Sequence, residues 1–240
     1  MFFTPWLRWR QRATGSGKTA RRPSFVPRLL VLEDRSLPST LTVLNNLDSG
    51  AGSLRDLLAG AHPGDMIQFD HHLAGQTITL TSGELVIDKS LDIEGLGADQ
   101  LAVSGNHASR VFAISGGVTV TIAGLTITDG RVVGDKRGGI LNVGSTLTLA
   151  HDVLSDNEAL GATGSDPRGG AISNLSGAHL TVTDSLFAHN QVIGGLGDGA
   201  GSDGLGVGGG VYNLGTFLVD ALTLIRHNHA STSNDDRFGC

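Results

Sequence analysis

Cysteine is almost missing from this chain, with Cys240 the only one in 240 residues. That excludes an internal disulfide framework and any cysteine-based zinc cluster, so stability has to come from packing and hydrogen bonds. No uninterrupted apolar run reaches the roughly 18 residues a membrane-spanning helix needs. Aromatics are only 5% of the residues and charged side chains 17%. Proline is rare too, and four of the six, Pro5, Pro23, Pro27 and Pro38, fall before the first regular pattern begins. Helical periodicity is scarce, which argues against an alternating α/β fold.

Charge is unevenly spread. Residues 1–40 hold eight basic and two acidic side chains out of totals of 17 and 23, leaving 9 and 21 for residues 41–240, a body at −12. Such a body repels phosphate backbones, so nucleic acid is not an expected partner. Segment 1–39 lacks hydrophobic periodicity and reads as a basic leader, disordered or export-related. Its Gly15-Ser-Gly-Lys-Thr19 lacks the first glycine of a phosphate-binding loop, because Arg12 occupies that place. The apolar run Leu29–Leu32 is too short for a standard signal sequence.

What the chain does have is glycine, 36 residues, with 39% hydrophobic residues rich in Val, Ile and Leu. This composition predicts an ordered, turn-rich domain with a core. From residue 40 the pattern has period two: Thr77–Leu80, Leu85–Ile87, Leu91–Ile93, Val111–Ile114, Val118–Ile122 and Leu125–Ile127 read as short strands separated by glycine turns. One exception, 53–61, opens on a capping Ser53 and places Leu54, Leu57, Leu58 and Ala61 on one helical face.

Self-comparison finds three copies of one unit in 138–228. They run from Gly138-Gly-Ile-Leu-Asn142 to Asn157, from Gly169-Gly-Ala-Ile-Ser-Asn174 to Asn190, and from Gly209-Gly-Val-Tyr-Asn213 to Asn228. In each, a glycine (Gly144, Gly177, Gly215) precedes the closing Asn by 13 residues. The third copy is shifted by one residue between its two strands, which predicts a small bulge. Such units bury their apolar faces only by stacking, so a solenoid of parallel strands over residues 40–228 is expected. Asn142, Asn174 and Asn213 form one expected structural ladder, and Asn157, Asn190 and Asn228 a second. Asparagine tolerates left-handed turns and its amides can stack between coils. The surplus residues, Glu158–Arg168 and Gln191–Gly208, are expected as flexible loops on one edge, with Asp166, Arg168, Asp198 and Asp203 as candidate binding residues. The polar tail 229–240 offers no cap, so an uncovered last coil, end-to-end self-association and a truncated member of a longer family are expected.

The Gly-Gly start followed by Leu186-Phe-Ala-His-Asn190 resembles the repeats of polymorphic outer-membrane proteins and related surface proteins. Asp48–Arg55 and Ala74–Leu80 resemble the N-terminal region of large bacterial surface β-helix proteins, and Leu32–Ser39 resembles a leader motif of exported planctomycete proteins. The resemblance implies an all-β, right-handed parallel β-helix with a short N-terminal capping helix at 53–61. It also implies a cell-envelope or extracellular location and a non-catalytic structural or adhesive role, with a cell-surface glycan or protein as partner.

The alternative is a carbohydrate-active lyase or hydrolase, since β-helices carry those too. A glycosidase needs two carboxylates a fixed short distance apart, and a lyase a calcium-binding carboxylate cluster with a basic residue beside it. Asp129, Asp152, Asp156, Asp184 and Asp220 lie near strands but form no Asp-x-Asp pair. His151, His189 and His227 lie beside turn residues but occupy different offsets or have Asp156 as counterpart, so no histidine column is expected, and His71-His72 reads as solvated. The sequence points to no catalytic, cofactor-binding or metal-ligating residue.

Overall fold

Period-two strands with glycine turns fold into successive turns of a coil whose strands pair only with those of the turns above and below. The computed structural model describes residues 37–134, 137–198 and 202–239, which belong to one compact unit. The leader up to residue 36, with its phosphate-loop-like and export-like motifs, lies outside the described residues.

Four sheets result, all with parallel pairing. The first stacks seven strands from Thr40–Val43 to Thr216–Val219; the second, six from Gln76–Thr79 to Leu224–Arg226; the third, six from Leu85–Ile87 to Arg237–Phe238. Following the chain, six turns visit these sheets in that order, so the molecule is a parallel β-helix. Three of these turns carry the repeat units; the other three lie before them, where sequence drift hides the repeat.

In-register pairing stacks like on like at the usual rung spacing of about 4.8 Å. Ile67, Ile93, Ile122, Leu149 and Val182 form one column of the first sheet. Ile78, Val103, Ile127, Leu154 and Phe187 form another in the second. These side chains are almost wholly buried in one continuous core.

The helix Leu54–Gly60 closes one end of that core. Ser53 caps it by accepting from Asp56 N at 3.2 Å, and Lys89 Nζ donates to Ala59 O at 2.8 Å at the other terminus, satisfying groups a helix cannot satisfy itself. Its Leu54 and Leu58 join the core. Arg55 ties the cap down, reaching Asp48 Oδ1 at 2.7 Å, Glu84 O at 2.8 Å and Gly83 O at 2.6 Å.

Both asparagine ladders form. Asn142 Nδ2 donates to Asn174 Oδ1 at 2.8 Å, and Asn174 Nδ2 to Asn213 Oδ1 at 2.8 Å. In the second ladder Asn157 donates to Asn190 at 2.9 Å, Asn190 to Asn228 at 2.8 Å, and Asn228 to Asp236 Oδ1 at 2.9 Å. The left-handed turn, however, does not sit on the asparagine. In the second ladder it sits on the preceding residue, with φ of 57° at Asp156, 59° at His189 and 57° at His227; in the first it falls on a later glycine, with φ of 58° at Gly144 and 76° at Gly177. The second-ladder turn swings each Asn side chain inward, where its amide also reaches the carbonyl two residues back, at 3.0 Å for Ser155 and 3.1 Å for Ala188.

Two segments differ from the sequence expectation. Glu158–Leu160 and Gln191–Ile193, expected as loops, are strands of a fourth sheet with Arg131–Val133 and His229–Ala230. Val132, Ala159, Val192 and Ala230 give this sheet a small apolar column of its own. The run is too short for a period-two signal to stand out. The polar tail likewise belongs to the coil: His229–Ala230 and Arg237–Phe238 pair with the preceding turn, and Asp236 terminates the second ladder. The predicted bulge is present, as the offset between neighbouring turns grows from 37 residues at Val219 to 38 at Leu224.

The paired glycines opening each repeat have a steric cause. A Cβ on Gly139 would meet the Asn157 amide at 2.7 Å, and one on Gly138 would lie 1.9 Å from Gly170 O.

The first ladder begins on an unmet acceptor. Asn142 Oδ1 is buried without a hydrogen-bond partner, because the register places Ile114 beneath it. Replacing Asn142 with Val extends the aliphatic column and moves the unmet acceptor to Asn174. Replacing Asn190 with Val breaks a ladder satisfied on both sides. Chemical denaturation is expected to show a loss of about 3–5 kcal/mol for Asn190→Val and less than half of that for Asn142→Val.

Candidate functional site

The edge loops expected to bind are folded onto each other. Gly161 N donates to Ile193 O at 2.7 Å, Gly195 N to Ser165 O at 3.0 Å and Gly204 N to Gly195 O at 2.6 Å. A Cβ on Gly195 would lie 1.5 Å from Ala162 O, so this glycine-rich stretch is packed backbone against backbone. Asp166 Oδ1 accepts from Leu205 N at 2.7 Å and Asp203 Oδ1 from Gly197 N at 2.7 Å. Arg168 lies 5.3 Å over the Tyr212 ring and 3.9 Å from Asp166, and Asp198 is also engaged. The structure therefore gives Asp166, Arg168 and Asp203 loop-holding contacts.

The coil corners carry titratable columns. His189 and His227 stack with ring centroids 5.9 Å apart, above Asp156 at the same corner. The expected Asp156 counterpart is present at this corner, but the two histidines above it do stack, against the expectation of no histidine column; each of the three residues directly precedes a closing Asn. At the next corner His151 Nδ1 lies 2.9 Å from Asp184 Oδ2. In an exposed turn, His71 and His72 approach Asp70 Oδ1 at 3.3 and 2.6 Å, while Asp70 also caps that turn by accepting from His72 N at 2.9 Å.

A more enclosed feature lies where the fourth sheet begins. Before Arg131–Val133 the turn between second and third sheets is the short Gly105–Arg110, so the fourth sheet's first strand has a strand partner on one edge only, its other edge meeting the turn where Arg131 N donates to Ser109 O at 3.0 Å. The step leaves a cavity of about 570 Å³ lined by Glu84, His107, Ser109, Arg110, Arg131 and Val133, among others. That is within the range of small-ligand sites. Arg110 Nε pairs with Glu84, and the Arg110 side chain is only 11% exposed. Its Nη1 is buried and has no hydrogen-bond partner. Arg131 Nε lies 3.0 Å from Glu158 Oε2, off the hydrogen-bond direction. Asn106 and His107 both take left-handed φ, 55° and 51°, uncommon for consecutive non-glycine residues. The turn is held by Ser104 Oγ, which donates to Asp129 at 2.9 Å and accepts from Asn106 N at 3.1 Å.

None of these cavity residues stood out from the sequence. The available signal was the scarcity of arginine in an acidic body, but Arg110 and Arg131 come together only through the step in the coil.

Comparison with family models, with curated proteins and with solved structures gave no match.

Asp152 is the most perturbed carboxyl. It is 1% exposed, and burial pushes it up to about 8 against the opposing pull of the N–H groups of Leu125 and Ala150. Asp48 is the reverse case. Desolvation is its largest single influence and would raise it, but hydrogen bonds from Ser82, Arg55 and Thr81 together hold it down at about 2. Asp65 is lowered by the His62 and Ser39 N–H groups.

A folded-state value above the unfolded one means that Asp152 contributes stability fully below about pH 4, lost as pH rises toward 8. Asp48 and Asp65 contribute above about pH 4 and are lost below it. Stability measured by denaturant titration is expected to peak on the acid side of neutrality and fall by a few kcal/mol toward pH 8.5. In Asp152→Asn that alkaline decline should flatten; an unchanged slope would show that Asp152 is not its source.

Proposed function

We propose that this chain is a structural or adhesive module of the cell envelope or extracellular space, a β-helical scaffold that captures a ligand on its flank without turning it over. The resemblance to polymorphic outer-membrane and exported planctomycete surface proteins supports the location, together with the leader-like Leu32–Ser39. No described helix is long and apolar enough to cross a membrane.

One observation carries the binding reading. Apart from Asn142 Oδ1, polar side chains within the solenoid are consumed by its ladders and corners, whereas the concave step is lined by two arginines, Arg110 and the 42% exposed Arg131. A concave surface carrying exposed guanidinium N–H groups is where a ligand finds polar partners.

A specific observation also keeps a carbohydrate-active enzyme in view. Asp152, whose carboxyl burial pushes up to about 8, lines one depression with His151 and Asp184, and two carboxyl groups of which one is held protonated are the pairing glycoside hydrolysis uses. Against it, the Asp152 carboxyl is turned onto backbone N–H groups at 2.9 and 3.1 Å.

A glycan array and a polysaccharide-degradation assay on one preparation separate the two. Binding without new reducing ends supports the module; cleavage lost in Asp152→Asn supports the enzyme. The module reading also includes self-association through the outermost coil, where Leu218 is 60% and Leu222 68% exposed. Light scattering should show mass growing with concentration and reverting in Leu218→Lys; a constant monomer mass would remove this part.

A further inference from the structure

We propose that Asp70, His71 and His72 form a surface site for a divalent first-row transition ion of the zinc, nickel or copper kind, held by two imidazole nitrogens and one carboxylate oxygen. The inference goes beyond the binding-module reading and does not depend on it.

The three residues form the turn that follows the strand Met66–Phe69. Its backbone is set by its own bonds: Asp70 N donates to Val43 O at 2.9 Å, Leu73 N to Asp70 O at 2.9 Å and Ala74 N to His71 O at 3.1 Å. Gln76 Nε2 adds a bond to His72 O at 2.8 Å, and Leu73, only 3% exposed, anchors the turn in the core. The two imidazoles, 83% and 79% exposed, contribute no packing to that core.

Adjacent side chains of so tight a turn point about 120° apart around its axis, yet these two rings converge, with centroids 4.0 Å apart. Both Nδ1 atoms face one oxygen, Asp70 Oδ1, at 3.3 and 2.6 Å. All three donor atoms lie within 4.8 Å of one another, and among the described residues no other group brings three such donors together.

Bond lengths decide whether an ion fits. With metal–ligand bonds of about 2.0–2.1 Å, neighbouring donors of a tetrahedral ion stand about 3.3 Å apart. The His71–Asp70 edge already has that length. The His72–Asp70 edge is a hydrogen bond; an ion takes the place of its shared proton, which leaves to solvent, and a small rotation of the exposed His72 ring widens the edge by about 0.7 Å. Asp70 Oδ1 keeps its bond from His72 N at 2.9 Å and has a second lone pair for the ion. Two imidazoles select the metal, because neutral imidazole suits zinc, nickel and copper, whereas magnesium and calcium take oxygen shells. Three protein donors leave a coordination position to water, so the ion is exchangeable.

The test titrates the full chain with zinc chloride by calorimetry while the imidazole resonances of its nine histidines are followed by NMR. The His71 and His72 resonances are expected to shift together and ahead of the others. His71→Gln and His72→Gln, changes at exposed rings that leave the backbone bonds of the turn in place, should each weaken zinc at least tenfold. Asp70→Asn keeps a capping acceptor but removes the charge, and should weaken it several-fold. His151→Gln breaks another close His–Asp pair, at 2.9 Å, and should leave affinity unchanged. A tenfold excess of magnesium chloride should not displace the zinc. Full affinity in His71→Gln overturns the proposal even if His72→Gln weakens binding, because one His–Asp pair would then suffice. Displacement by magnesium, or a loss found only in His151→Gln, overturns it equally.

Discussion

A polar side chain buried inside a stack of coils has no water to turn to, so its own copy one turn away must satisfy it. This constraint shapes the solenoid. An asparagine amide carries both donor and acceptor and repeats along the axis without a charge, so each ladder can run from coil to coil. Starts and stops are then the costly places. The second ladder starts with Gly130 N donating to Asn157 Oδ1 at 2.9 Å and stops on the Asp236 carboxylate. The first starts on Ile114 and leaves the Asn142 acceptor unmet.

The ladders in turn dictate where glycine goes. An amide wedged at the junction of the main core and the fourth sheet leaves no room for a Cβ at Gly130 or Gly139. The same close approach governs the edge loops, where glycines let backbone lie directly on backbone. High glycine content here marks tight packing as much as turning.

Period-two strands, the capping helix, the repeat and all six ladder asparagines were legible in the sequence, because each depends on residues close together or at a fixed interval. The helix at 53–61 is observed as Leu54–Gly60 between the caps Ser53 and Ala61. Less was legible where three-residue strands such as Glu158–Leu160 carry too few alternations to show a period. In the second ladder the turn geometry was misplaced by one residue, since Asp and His as well as Asn tolerate the left-handed region. The cavity was invisible for a different reason: it arises where the fourth sheet has no earlier rung, a property of the stacking order that no single segment encodes. The shared corner of His189 and His227 could be read from their common place before the closing Asn190 and Asn228; what the sequence did not show was that their rings stack.

The most direct measurement of the interlocked ladder is hydrogen exchange of the asparagine side-chain amides by NMR. The Nδ2 protons of Asn157, Asn174 and Asn190 should exchange as slowly as the backbone amides of the buried strands around them. Exchange at the rate of an exposed asparagine such as Asn106 would contradict the account, because amides that are not shared between coils cannot be what holds the coils in register.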